Sequence, residues 1–316
     1  MGLLSHRLAL GRLSDVSVTA ESPVTPLPTW KAYLTLTKPR IIELLLVTTI
    51  PTMFLAAGGF PSLATVCWTL LGGSFAAGGA NVLNCYLDRD IDALMERTMH
   101  RPTVTGQISP RNTIAFGITL SVLSYIVLEV FVNHLSALLS ATAIVLYVVG
   151  YTMLLKRRTT QNIVWGGVAG CMPVLIGWAA VRNSISIAPV MLFLVVFFWT
   201  PPHYWPLSLR YKEEYARAGV PMLPVEADEL TVTRHIIFYS WLMVGSSWGL
   251  IAVGETGWVY AISSVVLGIV FMWEAYSLRL RVRREASNLA PMKLFHLSIS
   301  YLSLLFLAVG IDPFVR

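Results

Sequence analysis

Charge is scarce in this chain. Only 13% of its 316 residues are Asp, Glu, Lys or Arg, against about 25% in an average soluble domain. That excludes an ordinary water-soluble fold. Cysteine is scarce as well. Cys67, Cys85 and Cys171 lie far apart with no Cys-x-x-Cys pair, so no disulfide or zinc framework is implied, and they read as small buried apolar residues. Residues 1–29 lack the apolar core of a secretory signal. With Arg7, Arg12, Pro23, Pro26 and Pro28 among Ser and Thr, they read as a flexible tail before a single transmembrane domain, 30–316. An organellar transit remnant fits poorly, because Asp15 and Glu21 are acidic. Acids are also missing from mid-bilayer positions. Glu43 and Glu129 fall near the ends of apolar runs and only Glu274 is moderately deep. No line of acids crosses the membrane, which argues against an ion-coupled transporter.

What is present is apolar sequence, 55% of the chain. Continuous runs long enough to cross a bilayer predict an all-α polytopic membrane protein, and their continuity excludes an alternating β-barrel. Nine spans are expected, near 41–60, 63–87, 112–132, 135–155, 162–181, 188–207, 235–254, 257–278 and 293–312. Pro201, Pro202 and Pro206 are expected to break the sixth where it meets the headgroups. With the N-terminus inside, 21 of the 23 Lys and Arg residues fall on the inner side, leaving only Arg182 and Arg316 outside. That asymmetry sets a cytoplasmic N-terminus in a cell inner membrane, or a matrix-facing one in mitochondria. The net charge of +6 is this bias and not a nucleic-acid signal. Two long polar loops follow spans two and six, four helices apart on the inner face. They suggest two halves with a site between them.

The first of these loops opens with Asn84, Asp88 and Asp92. At spacings of four they drift by only about 80° around a helix and span about 12 Å along it. Three oxygen-bearing side chains on one face, followed by Arg97 and Arg101, suit a hard cation and a phosphate. They equally suit a solvated helix end. The second loop carries Arg210, Lys212, Glu213 and Glu214, which read either as a second ligand set or as a mixed-charge juxtamembrane segment. Between them stand His203 and Tyr204 with Trp199 and Trp205. An interfacial aromatic belt accounts for the Trp and Tyr residues but not for His203, which suits an acid/base role or contact with a planar ligand.

The Asn84, Asp88, Asp92 pattern with Arg97 and Arg101-Pro102 resembles the first aspartate motif of the UbiA-type intramembrane prenyltransferases. Further blocks narrow the resemblance: Leu36 to Arg40, Gly106 to Ser109, Thr160 to Val164, Ile176 to Ala180, Pro202-His203 and Ala218 to Pro224. Together they resemble the protoheme IX farnesyltransferases, or heme O synthases. One departure stands out. Lys212-Glu213-Glu214-Tyr215 lies where that family commonly has Lys-Asp-Asp-Tyr.

The resemblance implies nine helices around a central cavity open to the cytoplasmic face. It implies farnesyl transfer from farnesyl diphosphate to a vinyl group of protoheme IX, with heme as substrate and Mg²⁺ as cofactor. An aromatic acid or quinone precursor is the alternative acceptor. It places Mg²⁺ on Asp88, Asp92, Glu213 and Glu214, with Asn84 alongside. It places diphosphate on Lys38, Arg97, Arg101, Arg210 and Lys212, and gives His203 and Tyr204 a role in proton handling or porphyrin placement. A heme A synthase or oxidase-assembly partner is a further expectation from the family. The lipid bilayer is the remaining partner, and no nucleic acid is expected.

Overall fold

The structure is a computed structural model that describes residues 26–315. The larger part of the expected flexible tail, residues 1–25, lies outside the described residues. A short helix α1 (Thr29–Thr37) leads into α2 (Pro39–Ala57) and α3 (Leu63–Leu87), which ends in the single-turn α4 (Arg89–Asp92). Helices α5 (Pro110–Phe131) and α6 (His134–Val145) follow. The latter continues as a wide π-type helix over Leu146–Leu155. Then come α7 (Asn162–Arg182), α8 (Ile187–Arg210), the short α9 (Lys212–Arg217) and α10 (Leu223–Glu226), α11 (Glu229–Val253), α12 (Trp258–Arg283) and α13 (Pro291–Ile311). Among the described residues, nine helices are long and apolar enough to cross a membrane. The chain is an all-helical, multi-pass membrane protein.

The helices pack as two neighbouring groups. Helices α3, α5 and α6 stand on one side, α8, α11, α12 and α13 on the other, and α2 and α7 lie between them. The largest buried cluster belongs to the second group. It includes Leu192, Val195, Trp199 and Trp205 of α8, Met243 of α11, Phe271 of α12, and Tyr301 and Phe306 of α13. Large apolar side chains also cover the outside. Ile118, Val122, Ile126 and Val130 recur every four residues along α5, and Ile262, Val266, Ile269 and Trp273 line α12. A lipid-facing surface requires this pattern, and a water-facing one would not tolerate it.

Lipid tails are as apolar as leucine, so helix association rests on close packing and interhelical hydrogen bonds. Both are present. The α3–α5 crossing is tight because Gly79 meets Gly117: a Cβ at Gly79 would sit 2.6 Å from Ser121 Oγ and 2.8 Å from the Gly117 carbonyl. Ser124 and Ser140 pair across α5 and α6 at 3.1 Å. Asn133 Nδ2 donates to the Ala179 carbonyl of α7 at 2.8 Å, and Tyr260 donates to the Ser247 carbonyl at 3.0 Å. Buried Asp312 accepts from the backbone N–H of Gly257 and, at 2.9 Å, of Tyr260. It caps the start of α12.

Two sequence expectations are corrected. The sixth span is not broken by its prolines, because α8 runs unbroken through Pro201, Pro202 and Pro206 to Arg210. Thr200 and Ser208 add side-chain bonds to the Val196 and Tyr204 carbonyls, and α7, α11 and α13 brace the helix. This is how a packed membrane helix tolerates proline. The seventh span also starts earlier than 235, at Glu229, because the Asp228 carboxylate caps the Thr231 N–H at 2.5 Å.

The Gly79 contact yields a stability prediction. Gly79→Val should force α3 from α5 and cost about 1–3 kcal/mol, as overpacked cores do. The thermal midpoint in detergent should fall accordingly. Gly73→Val, whose Cβ would meet nothing within 4 Å, should leave it unchanged.

Candidate active site

The site is built where α3 ends. Asp88 has left helical geometry, at φ −93° and ψ 3°. Its N–H nevertheless still reaches the Asn84 carbonyl at 2.9 Å, and the Asp92 N–H reaches the Asp88 carbonyl at 2.8 Å. The three oxygen-bearing residues therefore stay on one side across the break. All three are buried, Asp88 completely at 0% exposure.

A buried carboxylate needs partners, and Asp88 has several. Its Oδ2 accepts from Asn84 Nδ2 at 2.7 Å and from Lys156 Nζ at 2.5 Å. The Arg157 guanidinium approaches Oδ1 at 3.8 Å, but Oδ1 itself accepts no hydrogen bond. Asn84 is held in turn from both sides. Its Oδ1 accepts from Lys38 Nζ at 2.7 Å, and its Nδ2 also donates to Thr152 Oγ1 at 3.0 Å. Lys38 adopts a left-handed backbone, φ 53°, which places its ammonium beneath the turn between α1 and α2. Such strain in a non-glycine residue is a marker of functional sites.

Around this knot stand two further pairs. Arg101 donates to Asp92 Oδ2 at 2.5 Å. Arg157 grips Asp90 through both guanidinium nitrogens at 2.6 Å. That hydrogen-bonded pair lowers the Asp90 pKa to about 2. The contribution of this clasp is therefore present above the ordinary value of 3.8 and is lost only as pH falls through about 2. Asp90 is largely exposed, so solvent screening keeps that contribution small.

The second loop folds over the first. Ile91 and Met95 pack with Ile163, Tyr215, Val220 and Met222 in a small apolar cluster. Arg97 donates to the Tyr215 hydroxyl at 2.9 Å, and the Tyr204 hydroxyl lies 3.3 Å from it. Burial holds the Tyr215 phenol above its ordinary pKa, so it meets Arg97 as a neutral acceptor.

The predicted residues divide. Asn84, Asp88, Asp92, Lys38, Arg97, Arg101 and Tyr204 all stand in or beside the network just described. Glu214 is half-buried, and its Oε2 is fully buried with no hydrogen-bond partner. Glu213 is exposed, because successive helical residues point about 100° apart and α9 turns Glu214 inward. Among the described residues, no three His, Cys, Asp or Glu side chains converge on one point. The four-carboxylate set is therefore not a ready-made cage, because each aspartate takes a cation of its own. Arg101 was expected to face diphosphate directly but is bound to Asp92. Arg210 is exposed at the end of α8 and Lys212 is half-buried. Neither forms an ion pair with a described residue.

His203 is separated from this group. One residue before Tyr204, it points away and shares none of its partners with the carboxylates. Its ring stacks between Trp199, 4.1 Å away, and Phe295, 4.7 Å away.

Sequence reasoning missed the contribution of the fourth span. In the sequence Lys156 and Arg157 are only two of the inner-side basic residues, yet they hold Asp88 and Asp90. The available signal was topological: spans two and four end on the same face. The π-type geometry of Leu146–Leu155 has no sequence signature. With i→i+5 spacing it lines up Tyr147 with Thr152, whose Oγ1 donates to the Tyr147 carbonyl at 2.9 Å. Tyr151 lies so close to α7 that a Cβ on Gly166 would overlap its ring at 2.2 Å.

A nine-helix bundle with buried aspartates and basic residues gathered at one mouth defines a class, and the comparisons agree with it. The chain belongs to the UbiA prenyltransferase family, whose model matches residues 45–299. Within that family its relatives are protoheme IX farnesyltransferases. One from Streptomyces avermitilis is 60% identical over 288 residues, 90% of this chain and 94% of the relative. One from Streptomyces coelicolor is 58% identical, covering 90% and 91%. The fold is also shared with solved structures. It matches digeranylgeranylglyceryl phosphate synthase with a TM-score of 0.74 at 18% identity, covering 90% of this chain and 98% of that one. It matches a UbiA homolog from Archaeoglobus fulgidus bound to GPP and Mg²⁺ with a TM-score of 0.62 at 18% identity, covering 88% and 99%.

The Lys156–Asp88 pair generates a prediction. Lys156→Met strands a buried carboxylate and should cost on the order of 3 kcal/mol. Combining it with Asp88→Asn should recover most of that loss, because no charge is then left unpaired. Thermal unfolding of the two single variants and the double variant measures the coupling.

Proposed function

We propose that this chain transfers a farnesyl group from farnesyl diphosphate to a vinyl group of protoheme IX, giving heme O and diphosphate. The observation that carries the reading is the end-to-end likeness, at 60% identity, to a protoheme IX farnesyltransferase. The carboxylate and cation network alone would serve any prenyl acceptor. The basic residues that gather at the mouth are those counted on the inner side, so the site faces the cytoplasm across the plasma membrane of a bacterium. The relatives come from bacteria, which favours that membrane over the mitochondrial one.

The residues fit a divalent ion shared with substrate. Asp88 Oδ1 and Glu214 Oε2 are buried carboxylate oxygens without a hydrogen-bond donor. Mg²⁺ usually takes only one or two carboxylates and completes its shell with phosphate and water. Asp88, Asp92 and Glu214 would hold it, with Asn84 orienting Asp88. When bound, Mg²⁺ would supply neutralising charge for the leaving diphosphate.

The chain's own cations act beside it. Lys38 and Lys156 point their ammonium groups at Asn84 and Asp88, and Arg101 points at Asp92. Each can turn part of its hydrogen bonding to phosphate oxygens as negative charge grows there. Arg97 and Lys212 stand further out, where diphosphate enters. The C–O bond of farnesyl diphosphate breaks with its electron pair leaving on oxygen. The apolar helices keep water from the allylic cation. The heme vinyl π electrons then form the new C–C bond, and the cation left on the vinyl carbon takes the oxygen of one water. Tyr204, hydroxyl to hydroxyl with Tyr215, is placed to pass on that water's proton.

Asp88→Ala and Asp92→Ala should each lower heme O formation by about 10²–10³-fold, the scale for losing a group that stabilises developing charge. The protein should still insert in the membrane. Glu214→Gln should show a large loss and Glu213→Gln little, measured as heme O per mole of purified enzyme. Equal losses at 213 and 214 would contradict the orientation of α9.

A further inference from the structure

We infer that the groove between the starts of α7 and α11 is a binding site for one anionic glycerophospholipid. The groove holds about 450 Å³ and is lined by Gln161 at the start of α7 and by Thr231, Arg234, His235, Phe238 and Tyr239 of α11. It lies at the same membrane face as the aspartates, because α9, whose Tyr215 meets Arg97, leads through α10 into α11. The site is separate from the prenyl-transfer chemistry and takes its own ligand.

The five α11 residues follow i, i+3, i+4, i+7, i+8 spacing, so one face of the helix forms the groove. Along that face the chemistry changes within about 12 Å. The first two turns present Thr231, Arg234 and His235, and the third presents Phe238 and Tyr239. At the polar end Arg234 is exposed. Neither its guanidinium, the Gln161 side-chain amide nor the Thr231 hydroxyl makes a hydrogen bond or ion pair with a described residue. The neighbouring acids do not consume the Arg234 charge. Glu229 points about 160° away from Thr231 around the helix. The Asp228 carboxylate caps the Thr231 N–H at 2.5 Å; that bond is the main cause of its lowered pKa, and Arg234 contributes less.

The apolar end is rigid. Trp205, fully buried, packs edge-on against His235 at 5.9 Å and Tyr239 at 5.5 Å. His235 is also held through Nδ1, which donates to the Thr231 carbonyl at 2.9 Å. Beyond Tyr239 the ring contacts continue to Phe198 at 6.3 Å, then to Phe197 at 5.3 Å and Trp165 at 6.3 Å.

This order of groups selects the occupant. A guanidinium beside unpaired donors suits a phosphodiester. Aromatic rings just below it suit the glycerol and first acyl carbons. A free phosphate would leave the aromatic half unused. An α-helix about 10 Å across would fill the groove in about one turn, so the groove is too short to dock a partner helix. A choline headgroup would bring a second cation to Arg234, which favours an anionic lipid. The groove also adjoins the aspartate site. Asn162, next after Gln161, is completely buried and donates to the carbonyls of Lys156 at 3.3 Å and Pro221 at 3.4 Å. A lipid in the groove therefore braces the turn that carries Lys156.

The test is native mass spectrometry of the delipidated full chain in detergent, titrated with dioctanoyl phosphatidylglycerol. Wild type should bind one such lipid, about tenfold or more tighter than dioctanoyl phosphatidylcholine. Arg234→Gln should weaken it about tenfold or more, the scale for losing a charged hydrogen-bond donor. Phe238→Ala should weaken it as well, and Arg283→Gln, an exposed arginine at the end of α12, should not. Phosphatidylglycerol should raise the thermal midpoint of wild type but not of Arg234→Gln, with equal midpoints when lipid is absent. Equal weakening by Arg234→Gln and Arg283→Gln would overturn the assignment in favour of diffuse charge attraction. Equal binding of phosphatidylcholine would reduce it to ordinary lipid contact. Displacement of the lipid by inorganic phosphate or farnesyl diphosphate at equal concentration would make the groove an anion or substrate subsite instead. None of these readouts involves turnover, so a failure of the farnesyl-transfer reading would leave them untouched.

Discussion

Everything at the site depends on accommodating one buried carboxylate inside a membrane protein. Asp88 is completely buried, and a lone carboxylate there would be prohibitively costly. The chain resolves this with Asn84 from its own helix and Lys156 from a helix that ends on the same face. Lys38 then balances Asn84 from the turn before the first span. One acidic side chain thus ties together α1, α2, α3 and the end of the fourth span. Asn81, one turn deeper on α3, adds a second tie: its Nδ2 donates to the Thr37 carbonyl at 3.0 Å and its Oδ1 accepts from Tyr147 at 3.4 Å.

The same arrangement suits the site to its chemistry. On the mechanism proposed above, the cations that stabilise the aspartates would also meet the departing diphosphate. The second loop adds Tyr215 and Glu214, α8 adds Tyr204, and Arg97 donates a hydrogen bond that joins the two loops. The site therefore lies between two packed helix groups, as internal duplication tends to place it. Within the second group, α8 and α13 are laced through Ser298.

The spans were legible because membrane spanning needs long apolar runs. The aspartate motif was legible because its spacing of four survives the kink at Asp88. The inward turn of Glu214 was not. Adjacent glutamates are equivalent in sequence until the start of α9 fixes the register. Nor was the continuation of α8 through three prolines, since their lost hydrogen bonds are offset by neighbours that sequence does not reveal. Lys156 was visible only as one of the basic residues of one face, because its partner is 68 residues away. His203 meets Ser298, 95 residues further on, and no local pattern announces that contact.

The central claim is that the buried aspartate site serves farnesyl transfer to heme. The most direct measurement is mass spectrometry of heme recovered after the purified chain is incubated with farnesyl diphosphate, heme B and Mg²⁺, with 4-hydroxybenzoate present as a competing acceptor. The expected product is heme in which one vinyl group has become hydroxyethylfarnesyl, by gain of one farnesyl group and one hydroxyl, formed by wild type and absent with Asp88→Ala. Unmodified heme together with prenylated 4-hydroxybenzoate would contradict it.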